Sequence, residues 1–96
     1  MQLINREKGV LVDVRDPQEY AAGHPVGARN LPLDQFEAKL PGAVKNKGVP
    51  LLLICAGGNR ASRAVAIAKK LGYEKAQAVA GGLKAWKEAN LPIENT

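Results

Sequence analysis

The sequence predicts an α/β fold: a small three-layer sandwich with a mainly parallel sheet of four to five strands and helices on both faces. Three observations carry that expectation. Val10–Val14 (VLVDV) and Leu51–Ile54 (LLLI) are nearly continuous apolar runs bounded by turn formers, the pattern of parallel strands covered on both sides. Helix-spaced apolar stripes lie between and after these runs, so strands alternate with helices. Ninety-six residues at 46% hydrophobic composition suit one small core.

The elements follow in order. After Val10–Val14, the run Asp16-Pro17-Gln18-Glu19 is a helix start, with aspartate as N-cap, proline at the first position and glutamate at the third. That short helix should end near Gly23. Ala28–Leu31 (ARNL) is a short, weakly patterned strand candidate. A second helix is expected from about Asp34 to Leu40, stopped by Pro41-Gly42. The third runs from Arg60 or Ala61 to Leu71, with Ala64, Val65, Ala68 and Leu71 on one stripe and Gly72 as its stop. Gln77–Ala80 (QAVA) reads as another short strand, and Leu83 to Ala89 as a fourth helix closed by Asn90-Leu91-Pro92. There is no internal repeat, low-complexity tract or linker, so residues 1–96 read as one domain.

Charge and cysteine content narrow the chemistry. The net charge is +5, from fourteen basic and nine acidic residues. The lysines are scattered rather than gathered with aromatics into a block, so no nucleic-acid surface is expected. They read as solvated helix faces whose summed field draws small anions. A single cysteine excludes an internal disulfide and a multi-cysteine metal site, and fits a reducing, cytoplasmic setting. No stretch approaches the roughly 20 apolar residues of a membrane helix, and no signal peptide opens the chain. An apparent strand is reached within about ten residues. That abrupt start is compatible with a longer precursor bearing an upstream segment or anchor.

In such folds ligands sit beyond the carboxyl ends of the strands, and Asp13-Val14-Arg15 and Cys55 both fall at such ends. The loop CAGGNR after Leu51–Ile54 has distinctive physical capacities. Ala56, Gly57 and Gly58 add little bulk, so a tight turn can point several backbone N–H groups inward as an anion-binding nest. The following helix adds its positive N-terminal end. Helix N-termini and nearby cations favour the thiolate form of a cysteine, and Arg60 can bind an oxyanion. Covalent catalysis at sulfur is the matching class. A lone cysteine ending a strand is also the pattern of a small buried hydrophobe, and the residues alone leave both readings open. No G-x-x-x-x-G-K-[ST] match is present, so a nucleotide P-loop is not expected.

CAGGNRAS, read as Cys-x-x-Gly-x-Arg entering a helix, resembles the active-site loop of the rhodanese (sulfurtransferase) family. LVDVRDPQEYAAGHPVGARNLP is similar to that family's LxDVRxxxEYxxGHIxGAxNxP segment, and VAGGLKAWKEANLPI to its GGxxxWxxxGLPV close. The resemblance spans nearly the whole chain, with three motifs in order. It implies a rhodanese-like fold and a thiosulfate:acceptor sulfurtransferase working without cofactor or metal. On this reading Cys55 is the catalytic nucleophile and takes a sulfane sulfur from a small anionic donor such as thiosulfate. Ala56, Gly57, Gly58, Asn59 and Arg60 hold the persulfide and the donor, and a thiol or cyanide acceptor removes the sulfur. With no second cysteine, the acceptor must be external.

Loop length discriminates within the resemblance. Four residues separate Cys55 from Arg60, whereas the related protein tyrosine and dual-specificity phosphatases place five between theirs to cradle phosphate. The shorter loop resembles the sulfur-transferring branch. A small phosphatase or arsenate-reductase-like enzyme is the alternative, and a non-catalytic regulatory binding module a further one.

Asp13 and Arg15 are expected in support. Two residues apart at a strand end, their side chains leave on the same side. Arg15 either adds to the rim's positive field or forms a structural ion pair with Asp13 or Glu19, the reading preferred here. His24 could be read as a base for Cys55, but in the family pattern it belongs to a structural Gly-His turn, and persulfide chemistry needs no imidazole; the structural reading is preferred. Trp86, on the face of Leu83, reads as core or as a wall of the pocket mouth. Ser62 would cap the long helix or meet substrate. Three departures from the family pattern stand out: Ala61 where a serine often follows the loop arginine, the order His24-Pro25-Val26, and Arg29 at a usually apolar position. The family's upstream helix and edge strand are largely missing, which reads as N-terminal trimming.

Overall fold

The two apolar runs become the central strands because both of their faces are covered. The computed structural model describes residues 9–57 and 59–95. Along the chain come β1 (Val10–Asp13), α1 (Pro17–Ala22), β2 (His24–Pro25), β3 (Arg29–Asn30), α2 (Leu33–Ala43), β4 (Leu51–Ile54), α3 (Asn59–Lys70), β5 (Ala76–Ala78), α4 (Gly82–Glu88) and β6 (Ile93–Glu94). Four strands form a sheet in the order β3-β1-β4-β5, every neighbouring pair parallel. Register is set at the centre, where Val10 pairs with Leu51 and Asp13 with Ile54.

Alternation along β1 and β4 divides the core in two. Val12, Val14, Leu51 and Leu53 meet Phe36 and Leu40 of α2 and Ala61, Ala64 and Ala68 of α3. Leu11 and Ile54 face the other way, onto Leu83 and Trp86 of α4, with Tyr20 of α1 packed beside them. Each face of the sheet thus carries its own helices, and the expected three layers are present.

Short elements differ from expectation in instructive ways. The helix expected to stop at Pro41-Gly42 continues to Ala43. Pro41 removes only one hydrogen bond, to the carbonyl of exposed Glu37. Against that small loss, buried Leu40 and Val44 anchor the last turn, and the buried Tyr73 hydroxyl donates to the Val44 carbonyl at 2.5 Å. Expected Gln77–Ala80 is observed as Ala76–Ala78, with Val79 still donating to Leu53. Expected Ala28–Leu31 shrinks to Arg29–Asn30. A second, antiparallel pair, β2 with β6, was not anticipated, because two-residue strands show no periodicity. α3 ends as expected: Gly72 takes φ +103, and Tyr73 N–H reaches back to the Ala68 carbonyl.

Replacing Tyr73 by phenylalanine leaves the end of α2 without its buried side-chain donor. Tyr73→Phe should lower unfolding free energy by about 1–3 kcal/mol in urea denaturation at unchanged m-value. A change within error would show that the hydroxyl does not secure that helix end.

Candidate active site

Strand order places the site. From β1 the chain moves outward to β3, then crosses back to β4 on the other side of β1. The carboxyl ends of β1 and β4 therefore flank the point where the winding reverses, where open α/β sheets leave a crevice. Val14 N–H donates to the Ile54 carbonyl at 2.9 Å, tying the two strand tips together. Cys55 follows immediately.

Cys55 is buried, 1% exposed, among Val12, Val14, Leu53, Ala61 and Ala64. Its sulfur is nonetheless directed at a polar group. The Ala61 N–H, in the first turn of α3, donates to Sγ at 3.3 Å. The first four N–H groups of a helix lack partners within the helix, so the sulfur satisfies one of them at the positive end of α3. The Cys55 carbonyl does the same for a second helix, accepting the Leu83 N–H of α4 at 2.7 Å. Lys84 N–H reaches the Ala56 carbonyl at 3.3 Å.

That second attachment requires Gly82. Its φ is +60, and a Cβ there would lie 2.7 Å from the Ala56 carbonyl oxygen and closer still to that of Cys55. α4 approaches the loop backbone closely enough to bond it only because this position carries no side chain. In the sequence the Gly81-Gly82 pair stands only as part of the VAGGLKAWKEANLPI resemblance; the signal for its role is a glycine opening a helix where a better helix former would serve.

Arg60 is half-buried and points at Glu19 of α1. Nη1 donates to Oε1 at 2.8 Å and Nη2 to Oε2 at 3.1 Å, a two-pronged pair linking helices on different layers. Arg60 holds the Glu19 carboxyl below its usual range, partly offset by burial. Reciprocally, Glu19 pushes the Arg60 guanidinium up, with smaller contributions from Cys55 and Asp16. Glu19 stands at the third position of α1 as the sequence predicts, bonded to the Asp16 N–H, but its ion-pair partner is Arg60 rather than Arg15. Its E-Y motif position was visible, but a pairing across 41 residues was not.

The other expected site residues are distributed as follows. Ala56, Gly57 and Asn59 are exposed around the loop, and Gly58 lies outside the described residues. Among the described residues the Ala61 amide donates to Sγ, one residue past the set expected to hold sulfur. Asp13 and Arg15 are buried and paired with each other, Nη2 to Oδ2 at 2.7 Å and Nε to both carboxylate oxygens. Arg15 also donates to the Gly23 carbonyl, and Asn30 bridges the carbonyls of Asp13 and Arg15. Asp13 pairs in register with Ile54, on the α1/α4 face, whereas Cys55 packs on the α2/α3 face. The pair braces the strand tips from the opposite side of the sheet. His24 directs its ring nitrogens to the Tyr20 carbonyl and the Glu94 carboxylate and stacks on Tyr20. Trp86 is core, its Nε1 donating to the Pro92 carbonyl. The cleft it lines with Leu52, Val79 and Leu91 includes no residue of the Cys55 loop.

A family model described as Rhodanese-like domain matches residues 1–89. The chain belongs to the rhodanese family. It is 36% identical over 94 residues to the thiosulfate sulfurtransferase GlpE of Pseudomonas putida, covering 98% of this chain and 83% of that protein. An uncharacterised protein of Synechocystis sp. is also 36% identical, over 99% of this chain, which spans about half (52%) of that relative. Among solved structures, it is similar to a thiosulfate sulfurtransferase from Pseudomonas aeruginosa, with TM-score 0.90 at 30% identity over 98% of this chain and 18% of that one. The human single-domain sulfurtransferase superposes with TM-score 0.81 at 31% identity, covering 91% of this chain and 88% of that one. No helix among the described residues is long and apolar enough to cross a membrane.

Two expectations for this rhodanese domain follow. Gly82→Ala should cost more than about 2 kcal/mol of stability, because helix and loop cannot both stay in place. Gly42→Ala, in α2 with nothing within 4 Å, should be neutral or stabilising by up to about 1 kcal/mol; thermal unfolding of both tests the pair. The Arg60–Glu19 bridge should depend on pH. A depressed glutamate pKa contributes stability above the usual value of 4.5, lost as pH falls through the lower folded-state value. Both ends are about one-third exposed, so the contribution is at most about 1 kcal/mol. The stability gap between the parent and Glu19→Gln should be constant about a pH unit or more above 4.5 and narrow as pH falls below 4.5. A gap unchanged across that range would contradict the assignment.

Proposed function

We propose that the protein is a thiosulfate:acceptor sulfurtransferase in which Cys55 carries the sulfur. The observation that supports this most strongly is the Ala61 N–H on Sγ at the N-terminus of α3, with Arg60 one residue before it. A terminal persulfide sulfur is an anion, and the first turn of a helix is suited to hold one. The Cys55 thiolate attacks the outer sulfur of thiosulfate. The bond from that sulfur to the sulfonate breaks, and sulfite leaves with the electron pair. Cyanide, or a thiolate, then attacks the outer sulfur of the Cys55 persulfide and restores the thiolate.

Ala56, Gly57 and Asn59 lie around the loop that follows that sulfur, and Arg60 steadies the donor. The guanidinium has five N–H groups, of which Glu19 occupies two, leaving three for an anion. Asp13 and Arg15 support the site by fixing the strand tip from beneath. Names of the relatives match this reading: GlpE is a thiosulfate sulfurtransferase.

Intact mass after thiosulfate treatment should increase by one sulfur atom, and cyanide should reverse the gain with release of thiocyanate. Cys55→Ser should abolish both. Retained thiocyanate formation in that variant would overturn the assignment, and hydrolysis of an aryl phosphate with no persulfide would favour the phosphatase alternative.

A further inference from the structure

A groove of about 500 Å³ opens at the same rim. α3 lines it with Arg60, Arg63 and Ile67, whose spacing places them along one stripe of the helix. The facing residues come from the β1–α1 junction and the start of α2. Val14 and Leu33 add apolar surface there, and Asp16 and Asp34 add carboxylates. Basic groups thus come from one element and acidic groups from others, over an apolar floor. Among the described residues, neither Asp34 nor Arg63 forms an ion pair or a side-chain hydrogen bond. Both charges are exposed and unneutralised at the groove.

Thiosulfate, a small dianion with no carbon, has no use for an apolar floor or for carboxylates. A cation would be repelled by the arginines, and a simple carboxylate by the aspartates. The lining is complementary to a molecule bearing both signs on a short carbon frame. We propose that this groove seats the sulfur acceptor and selects a zwitterionic aminothiol, a cysteine or short cysteine peptide with free ammonium and carboxylate groups. Asp34 takes the ammonium, Arg63 the carboxylate, and Val14, Leu33 and Ile67 the carbon frame. The acceptor thiolate attacks the outer sulfur of the Cys55 persulfide, the sulfur–sulfur bond breaks, the Cys55 thiolate is the leaving group and the acceptor departs as a persulfide. This inference rests on the sulfur-carrier reading above.

The test loads the protein with thiosulfate, confirms the persulfide by mass, and times its discharge by four thiols compared at equal thiolate concentration. Cysteine carries both charges, cysteamine only the ammonium, 3-mercaptopropionate only the carboxylate and 2-mercaptoethanol neither. Cysteine should be fastest, with each charge contributing about three- to five-fold. Asp34→Asn should erase the advantage of cysteine over 3-mercaptopropionate and keep that over cysteamine; Arg63→Gln should do the opposite. Four equal rates, or variants that slow all thiols and cyanide alike, would overturn the acceptor site while leaving the carrier reading intact. Failure to form any persulfide would overturn both.

Discussion

One residue caps two helices, and much of the molecule is arranged around that fact. The Cys55 sulfur accepts from the first turn of α3 and its carbonyl from the first turn of α4. These helices cover opposite faces of the sheet, so the junction lies where all three layers meet. Displacing Cys55 would uncap both helices together. The position of the thiol is therefore set by the same hydrogen bonds that hold the layers in place, and needs no dedicated scaffold.

Electrostatics around the junction are built in two tiers. The Asp13–Arg15 pair is buried and joined by several hydrogen bonds, on the far face. Removing one member of such a pair strands a charge in the interior, so it acts as a fixed brace. The Arg60–Glu19 pair is about one-third exposed and leaves donors of Arg60 unused. It can adjust to a ligand while still tying α1 to the head of α3.

Legibility in the sequence followed element length and residue chemistry. β1, β4 and α3 were readable because long apolar runs and a regular helical stripe leave few alternatives. That Cys55 ends a strand and Arg60 opens a helix was readable because a strand, glycines and a helix stand in succession, a pattern shared by an anion-binding loop and by a buried thiol. Pro41 misled, since local propensity stops a helix there while burial of Leu40 and Val44 and the Tyr73 hydroxyl carry it on. Glu19 with Arg60 and Gly82 with the Cys55 carbonyl escaped for another reason: each relation joins residues distant in the chain, and no periodicity records it.

The small β2–β6 ribbon bears on where this unit can be cut. The family match ends at residue 89, yet Ile93–Glu94 pairs with His24–Pro25, Glu94 meets His24, and the Pro92 carbonyl takes the Trp86 indole. A domain excised at the end of the family match would lose the closing strand and leave a buried imidazole and a buried indole each short of a hydrogen-bond partner. Residues 90–94, beyond the family match, belong to the folding unit, and transplanting this domain into another protein would need to carry them along.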